Sequence, residues 1–546
     1  MASLEYTTEA AQQLTRSVIQ KYYQGILQGI FPNPLRAMED CAQEMTTTLK
    51  RNKFPDTFNP LVATIGDVSS LGFNRKMDPD EREEIRDQSL QSGEEIDFRL
   101  FTRDPFESEF AGVANDLGLY PGAKFYGKES KFVKILKRYR RIFEDAEKWG
   151  KTSLLRYETS GRGSTQSRNL FADQAKSLGI DVESDDVWLT EGGMGALNRL
   201  GISINSYFEN PQDPKTAPRK ARLLAPLPCF TMVPKAQKEL GLEVSYINAQ
   251  DLPGQELDGQ RLKRYFEEQA ELANVYGGKK DFIPDIMYLT PADNPTARSV
   301  DPEKLRSLIL MAREANPEMV FFFDMAYMKL IPKKKAEAII NVIKETGAID
   351  HAAFAFSDSK RLGQPGSRFG AIVIPKNSSI YGKKLGTGDG RIQETTRTIN
   401  PGWSVETDVM YQAVNKFVDK EDVEGYQKLL RQRQTALLEV LKDLDPTGRY
   451  FKNLDKIHIP IDENKDAPEG TITQDVPLYL WVEINKDEGN FLKKCFDIIS
   501  DLNIVGVPGT VFGDSGHMRF SVGVISTLDI LKKSDKVMRR WIDRMS

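Results

Sequence analysis

AAFAFSDSKRLGQPGSRFG, residues 352–370, sets an apolar run directly against a polar turn. Ala352 to Phe356 carry no polar side chain, which suits a β-strand covered on both faces. Ser357, Asp358, Ser359 and Lys360 follow at once. A Gly/Pro loop comes next, then Arg368 ahead of a second apolar run, FGAIVI (369–374). A lysine after a strand is usually a solvated cap. Gly366 and Gly370 on either side of Arg368 suggest close approach to another group.

The same pattern recurs through the middle of the chain. RLLAP (222–226), DIMYLT (285–290) and MVFFF (319–323) are short apolar runs separated by helix-like stretches. Continuous apolarity, rather than alternation, argues for buried parallel strands in an α/β sheet. A polar or aromatic group stands just behind each run: Phe230 in LPCF, Asn294 in PADNPT, Asp324 and Tyr327 in DMAY, Lys360 in SDSK. Ligands bind at the carboxyl ends of such strands, so four strands would deliver an aromatic ring, an amide, a carboxylate and an amine to one edge. Singly, each has a structural explanation: a turn asparagine before Pro295, a helix-capping Asp324, a packing Tyr327.

The flanks read differently. Residues 8–30 carry a helical stripe through Leu14, Val18, Ile19, Tyr22, Tyr23, Ile26 and Leu27, and Leu35, Met38, Cys41, Met45 and Leu49 repeat at helical spacing. Residues 73–128 are charged and irregular and read as an insertion, before a return to helical spacing at 131–149. A helical zone at about 404–445 leads to a last segment with VPLYLWVEI (476–484), NIVGV and MRFSV. The expected division is an N-terminal helical arm with insertion (1–150), a large three-layer α/β/α domain with a mostly parallel sheet (151–405), and a linker helix with a smaller α+β domain (406–546).

The collected side chains meet the needs of a pyridoxal phosphate site. A lysine amine captures the aldehyde, a carboxylate keeps the ring nitrogen protonated, and an arginine grips the phosphate. The motifs resemble the class I/II aminotransferase group of fold-type I pyridoxal phosphate enzymes. SDSKRLGQPGSRFG resembles that family's lysine segment, DNPTA (293–297) its Asn-Pro-Thr-Gly loop, and DMAY its Asp-x-Ala-Tyr. TEGGMGAL (190–197) resembles its phosphate-binding turn, RYETSGRGSTQSRNLFADQA (156–175) the tyrosine segment before it, and VPGTVFGDSGHMRFSV (507–522) its C-terminal arginine motif. The order is the family's order, from about residue 131 to the C-terminus. ATIGD (63–67) is a weaker match.

The resemblance implies a role for each residue. Lys360 is the Schiff-base lysine and proton shuttle, Asp324 pairs with the ring nitrogen, and Asn294 and Tyr327 contact the ring hydroxyl. Phe230 stacks on the ring. Ser357, Arg368 and the backbone of Gly193 and Met194 hold the phosphate, the last two at a helix start. Tyr157 reaches a phosphate in a neighbouring subunit, which implies a homodimer. Arg519 binds the substrate α-carboxylate. The implied function is transfer of an amino group between an L-amino acid and a 2-oxo acid. A lyase, decarboxylase, cyclase or oxidase of an amino acid is the alternative on the same core. Ala297 in place of the family's glycine and Phe230 in place of its commoner Tyr or Trp leave the substrate side chain open.

Composition narrows the class. The net charge of −4 argues against a nucleic-acid or anionic-membrane surface as the main business of the chain. No apolar run approaches the roughly 20 residues that span a bilayer. Cys41, Cys229 and Cys495 are few and far apart, so a reducing, cytoplasmic setting is expected, with no disulfide framework and no metal site. TEGGMG lacks the Gly-Lys-Ser/Thr ending of a nucleotide P-loop.

Overall fold

A computed structural model describes residues 7–31, 34–55, 58–64, 161–209, 217–249, 252, 255–276, 283–362, 367–382, 403, 405–417, 420–460, 467–485, 490–523, 525 and 527–545. Within them the chain forms two compact units. One holds residues 7–64, 295–297 and 424–545; the other holds 161–294 and 298–423. The insertion read at 73–128, the helical stretch at 131–149 and Tyr157 lie outside the described residues.

The chain opens with helices α1 (Thr8–Leu27) and α2 (Pro34–Arg51) and a short strand β1 (Leu61–Val62). The larger unit then runs α3 (Thr165–Ser177), β2 (Val187–Glu191), α4 (Gly192–Glu209), β3 (Arg222–Leu227), α5 (Met232–Glu239), β4 (Glu243–Asn248), α6 (Gly259–Tyr276), β5 (Ile286–Leu289), α7 (Pro302–Ala315) and β6 (Val320–Asp324). It continues with α8 (Lys333–Glu345), β7 (Ala352–Ser357), β8 (Phe369–Val373), α9 (Ser379–Gly382) and α10 (Val405–Phe417). After α11 (Lys420–Leu444) come β9 (Phe451–Lys452), β10 (Ile457–His458), β11 (Ile472–Thr473), β12 (Tyr479–Ile484), α12 (Phe491–Leu502), β13 (Ile504–Val505), β14 (Val507–Pro508), β15 (His517–Ser521), α13 (Thr527–Leu531) and α14 (Asp535–Met545).

The seven-stranded sheet of the larger unit has the order β2-β8-β7-β6-β5-β3-β4. All neighbours are parallel except β8, which runs against both β2 and β7. Both faces are covered, as the continuous apolar runs require. Along β6, Phe322 joins Trp188, Leu200 and Ile204 in the cluster on the α4 face. Its neighbours Phe321 and Phe323 point the other way, and Phe323 stacks on Phe354 at 5.4 Å. On β8, Phe369 meets Tyr411 of α10, which stacks on Phe171 of α3 at 5.0 Å. Helices therefore lie on both sides of a mostly parallel sheet. This is the α/β/α arrangement expected from the sequence.

In the other unit, β12 and β15 pair antiparallel and present alternate residues to a core. Leu480, Val482, Met518 and Phe520 point into it and meet Val18, Ile19 and Tyr22 of α1, Met38, Cys41 and Met45 of α2, Leu437 and Leu441 of α11, and Ile498 and Ile499 of α12. The sequence reading set the N-terminal helices apart as an arm. The structure instead has Val18, Ile19, Tyr22, Met38, Cys41 and Met45 of those stripes in the same core as the C-terminal strands, while Leu14 and Leu49 join a separate small cluster and Leu27 is exposed. β1 also pairs with β13, Leu61 against Ile504 and Val62 against Val505. Two amphipathic helices alone cannot bury both stripes, so a shared core is the physical outcome.

Candidate active site

The topology brings the sequence-selected residues of the larger unit to one sheet edge. β2, β3, β5, β6 and β7 all point their carboxyl ends there, and β8, running oppositely, starts there. Gly193 and Met194 follow β2, Phe230 follows β3, Asn294 follows β5, Asp324 ends β6 with Tyr327 behind it, and Ser357 ends β7 with Lys360 behind it. Arg368 immediately precedes β8. Register fixes the neighbours: Asp324 lies beside Ala355, Ser357 opposite Gly370, and Gly370 opposite Thr190.

Asp324 is the most demanding group electrostatically. It is buried, and its carboxylate accepts from the Tyr288 hydroxyl (3.1 Å) and the Ala326 N–H (3.1 Å). Burial pushes its pKa above the ordinary carboxylate value; the two hydrogen bonds only partly oppose this. Neither donor carries a charge. Tyr288 is fully enclosed, and burial followed by the neighbouring Asp324 charge raises its hydroxyl well above the ordinary range. It therefore stays a neutral donor. Nearby, the Asn294 Nδ2 donates to the Tyr327 hydroxyl at 3.3 Å, both residues being buried.

A second feature is a cradle around the start of α4. The first turn of a helix has backbone N–H groups with no intrahelical acceptor, and its positive end favours anions. Gly192 has φ +72°, and a Cβ there would lie 2.8 Å from Arg368 Nη2. At Gly193 a Cβ would meet the Ser357 Cβ at 3.4 Å. Arg368 is exposed, sits at φ 56°, and donates from Nη2 to the Glu191 carbonyl at 3.2 Å. Ser357 Oγ lies 3.0 Å from Ser359 Oγ and accepts the Ser359 N–H at 3.3 Å. A guanidinium, a hydroxyl and a helix start converge here, a donor set for a phosphate.

Lys360 stands on the turn after β7, half-buried, between Ser359 and Arg361. The Leu362 N–H closes that turn onto the Asp358 carbonyl at 2.9 Å. Phe230 is half-buried and packs against the cluster on the α4 face of the sheet. The residue before it, Cys229, is enclosed, and burial raises its thiol pKa, so it is not a nucleophile.

Arg519 belongs to the other unit. It lies on β15 with one neighbour on each side, Trp481 of β12 and Val507 of β14. Its side chain is buried, with the guanidinium 4.6 Å from the Tyr479 ring and 4.7 Å from the Phe512 ring. Nη2 donates to the Thr64 carbonyl at 2.8 Å. Thr64 belongs to the weak ATIGD match, so that stretch does reach the motif arginine. His517, two residues earlier, stacks on Trp481 with ring centroids 5.1 Å apart and lies 3.2 Å from Asp514.

Sequence reasoning missed Tyr288, because a tyrosine inside an apolar run reads as core. It also missed Asp358, Arg361, Tyr411 and Gln174, which join only through the fold. Ala297, noted as a departure, has φ 59° and is fully buried, which accounts for glycine being the family's usual residue there.

The larger unit fits pyridoxal phosphate on its own evidence. A buried carboxylate held by two neutral donors is complemented by a protonated ring nitrogen, and the α4 cradle is complemented by a phosphate. Comparison with known proteins agrees. The family model for aminotransferase class I and II matches residues 214–531. Among curated relatives, LL-diaminopimelate aminotransferase of Prochlorococcus marinus (strain NATL2A) is 26% identical over 253 residues, 46% of this chain and 55% of its own length. The enzyme of that name from Methanosphaera stadtmanae is 27% identical over 255 residues, 44% of this chain and 54% of its own. The chain thus spans about half the length of the curated relatives it matches. Among solved structures, an archaeal alanine:glyoxylate aminotransferase superposes with a TM-score of 0.55 at 15% identity, covering 93% of this chain and 95% of its own. Aspartate aminotransferase from Thermus thermophilus with maleate gives 0.52 at 15% identity, covering 95% and 98%. These last two show the fold. With 318 of its 546 residues inside the family match (531 − 214 + 1), the chain belongs to the aminotransferase class I and II family.

Proposed function

We propose that this protein is a pyridoxal phosphate-dependent aminotransferase that moves an amino group between an L-amino acid and a 2-oxo acid. The observation that carries this is Asp324, a buried carboxylate with only neutral donors, at the edge that also bears the Lys360 turn and the α4 cradle. Pyridoxal phosphate, when bound, supplies an aldehyde and a ring that takes up the electron pair released at the substrate α-carbon.

The chain's own residues do the rest. Arg368, Ser357 and the N–H groups of Gly193 and Met194 would hold the phosphate, and Asp324 would keep the ring nitrogen protonated. Asn294 and Tyr327 would orient the ring oxygen, and Phe230 would cover a ring face. Lys360 Nζ would anchor the aldehyde and, once released from it, carry a proton from the substrate α-carbon. Arg519 would grip the α-carboxylate with its planar fork, whose carbon lies 4.6 Å and 4.7 Å from the Tyr479 and Phe512 ring centroids. Tyr157 would reach the phosphate of a second copy, making the enzyme a homodimer whose mass sedimentation would report. The buried free thiols of Cys41, Cys229 and Cys495 suit a cytoplasmic location.

The test uses the purified protein loaded with pyridoxal phosphate. Given an L-amino acid and no acceptor, it should release one equivalent of 2-oxo acid per site and then stop until a 2-oxo acid is added. Borohydride reduction followed by peptide mapping should place the pyridoxyl group on Lys360. Continuous release of ammonia or carbon dioxide without an acceptor, or a label on another lysine, would overturn the assignment.

A further inference from the structure

We infer that Asp358, Arg361, Tyr411, Gln174 and Asn415 are positioning residues for Lys360: they pin the backbone of its turn so that only the lysine side chain moves. The inference rests on the proposed function. Asp358 and Arg361 bracket Ser359 and Lys360, one on each side. Arg361 Nε and Nη2 donate to the two Asp358 carboxylate oxygens, each at 2.7 Å. Tyr411 Oη and Gln174 Nε2 both donate to Asp358 Oδ2, again at 2.7 Å. Gln174 also donates to the Tyr411 hydroxyl at 2.9 Å, and Arg361 Nη2 donates to Asn415 Oδ1 at 2.8 Å. The Asp358 N–H donates to the Phe369 carbonyl at 3.1 Å. One turn is thereby tied to α3, α10 and β8.

A solvated lysine cap needs none of this. The Asp358 side chain is 1% exposed and that of Arg361 13%. An ion pair so placed adds little net stability, because desolvation cancels much of the attraction, and an apolar pair of similar volume often folds as well. A fixed geometry is what it does supply. Burial opposes ionisation of Asp358, yet the Arg361 charge and the hydrogen bonds hold its carboxyl below the ordinary value, so the pair stays charged and bidentate. Lys360 must serve two positions in sequence, anchoring the aldehyde and then reaching the α-carbon. A displacement of about 1 Å in such a group can cost roughly 10²-fold in rate.

The experiment separates positioning from folding. Tyr411→Phe and Asn415→Ala each delete one hydrogen bond to the intact pair; kcat should fall about 3- to 10-fold with KM within about twofold. Arg361→Met alone leaves Asp358 buried without its partner and should lower both kcat and the melting temperature. Adding Asp358→Leu to it removes that charge and should restore the melting temperature, while kcat stays about 10²-fold low. A readout independent of turnover is the time course of pyridoxal phosphate attachment to Lys360 in cofactor-free protein, trapped with borohydride and mapped by mass spectrometry. Attachment should be slower in every network variant. If kcat and attachment rate instead follow the melting temperature and recover in the double variant, the network is structural only and the inference falls. If the wild-type protein attaches the cofactor at Lys360 but performs another reaction, the proposed function fails while slowed attachment still upholds the positioning role.

Discussion

Replacing Asp324 with asparagine tests the electrostatic core of the site. The Asp324 carboxylate accepts one neutral hydrogen bond at each oxygen, 3.1 Å from Ala326 N and 3.1 Å from Tyr288 Oη. An asparagine can keep both contacts. Its oxygen takes the Ala326 N–H, and its amide donates to the Tyr288 oxygen once that hydroxyl turns. The hydrogen-bond loss is then at most one neutral bond, about 1 kcal/mol. Against it stands removal of a buried charge. Because the folded-state pKa of Asp324 lies above its ordinary value, this group binds more protons folded than unfolded. Its contribution is therefore most favourable at low pH and is lost as pH rises from the ordinary carboxylate range through the raised pKa, at up to about 1.4 kcal/mol per unit. Chemical denaturation of cofactor-free wild type and Asp324→Asn across pH should show near-equal stability at the acid end. The variant should then gain an advantage that grows with pH and levels off. Saturating pyridoxal phosphate should reverse the order, because losing one side of a buried ion pair costs about 3 kcal/mol or more, roughly 10²-fold in affinity. A pH-independent stability difference, or a variant less stable everywhere, would refute the view that Asp324 awaits a cationic partner.

Other perturbations bear on the cradle and on the substrate arginine. Gly370→Ala would place a Cβ 2.4–2.6 Å from the Gly192 backbone, which cannot swing aside; urea unfolding should show about 3 kcal/mol of destabilisation, the upper range for overpacking. Gly192→Ala meets only the flexible tip of Arg368, so its stability cost should be the left-handed backbone term of about 1–2 kcal/mol. Equilibrium binding should then show weakened pyridoxal phosphate, with pyridoxal lacking the phosphate bound as before. Arg519→Lys keeps the charge but loses the fork and the guanidinium's contacts with the Tyr479 and Phe512 rings. The amino acid KM should rise about tenfold with cofactor affinity unchanged, measured by steady-state kinetics and titration.

Strands in the interior of the covered sheet were the legible ones. RLLAP, DIMYLT, MVFFF, AAFAF and FGAIVI fall on β3, β5, β6, β7 and β8, because a strand in the middle of a covered sheet has no polar face to confuse its pattern. β4, EVSYIN at the sheet edge, was not legible: it is mostly exposed and its letters alternate without a clear apolar side. The two helices of the N-terminus were readable from their stripes, but not their partner. The pairing of β1 with β13 joins two short segments far apart in the chain; NIVGV was read as part of the last segment, but nothing in it names Leu61 and Val62 as its partner.

The site divides along the same physical line. Residues that would touch a ligand stand at fixed offsets behind their strands, since a strand's carboxyl end aims whatever follows it, so Asp324, Asn294 and Lys360 could be found from local order alone. Residues that hold those groups have no such constraint. Asp358 and Arg361 sit in plain view beside Lys360, yet their meaning depends on Gln174 from α3 and on Tyr411 and Asn415 from α10. Any polar pair at that spacing would have read as a solvated turn. What separates the two cases is burial, because a charge pair in water is worth little and the same pair enclosed must be satisfied at every atom. The fold decides which of these holds, by laying α3 and α10 over the turn. The lysine is thus chosen by the strand that precedes it, whereas its precision is set by helices that the lysine motif does not name.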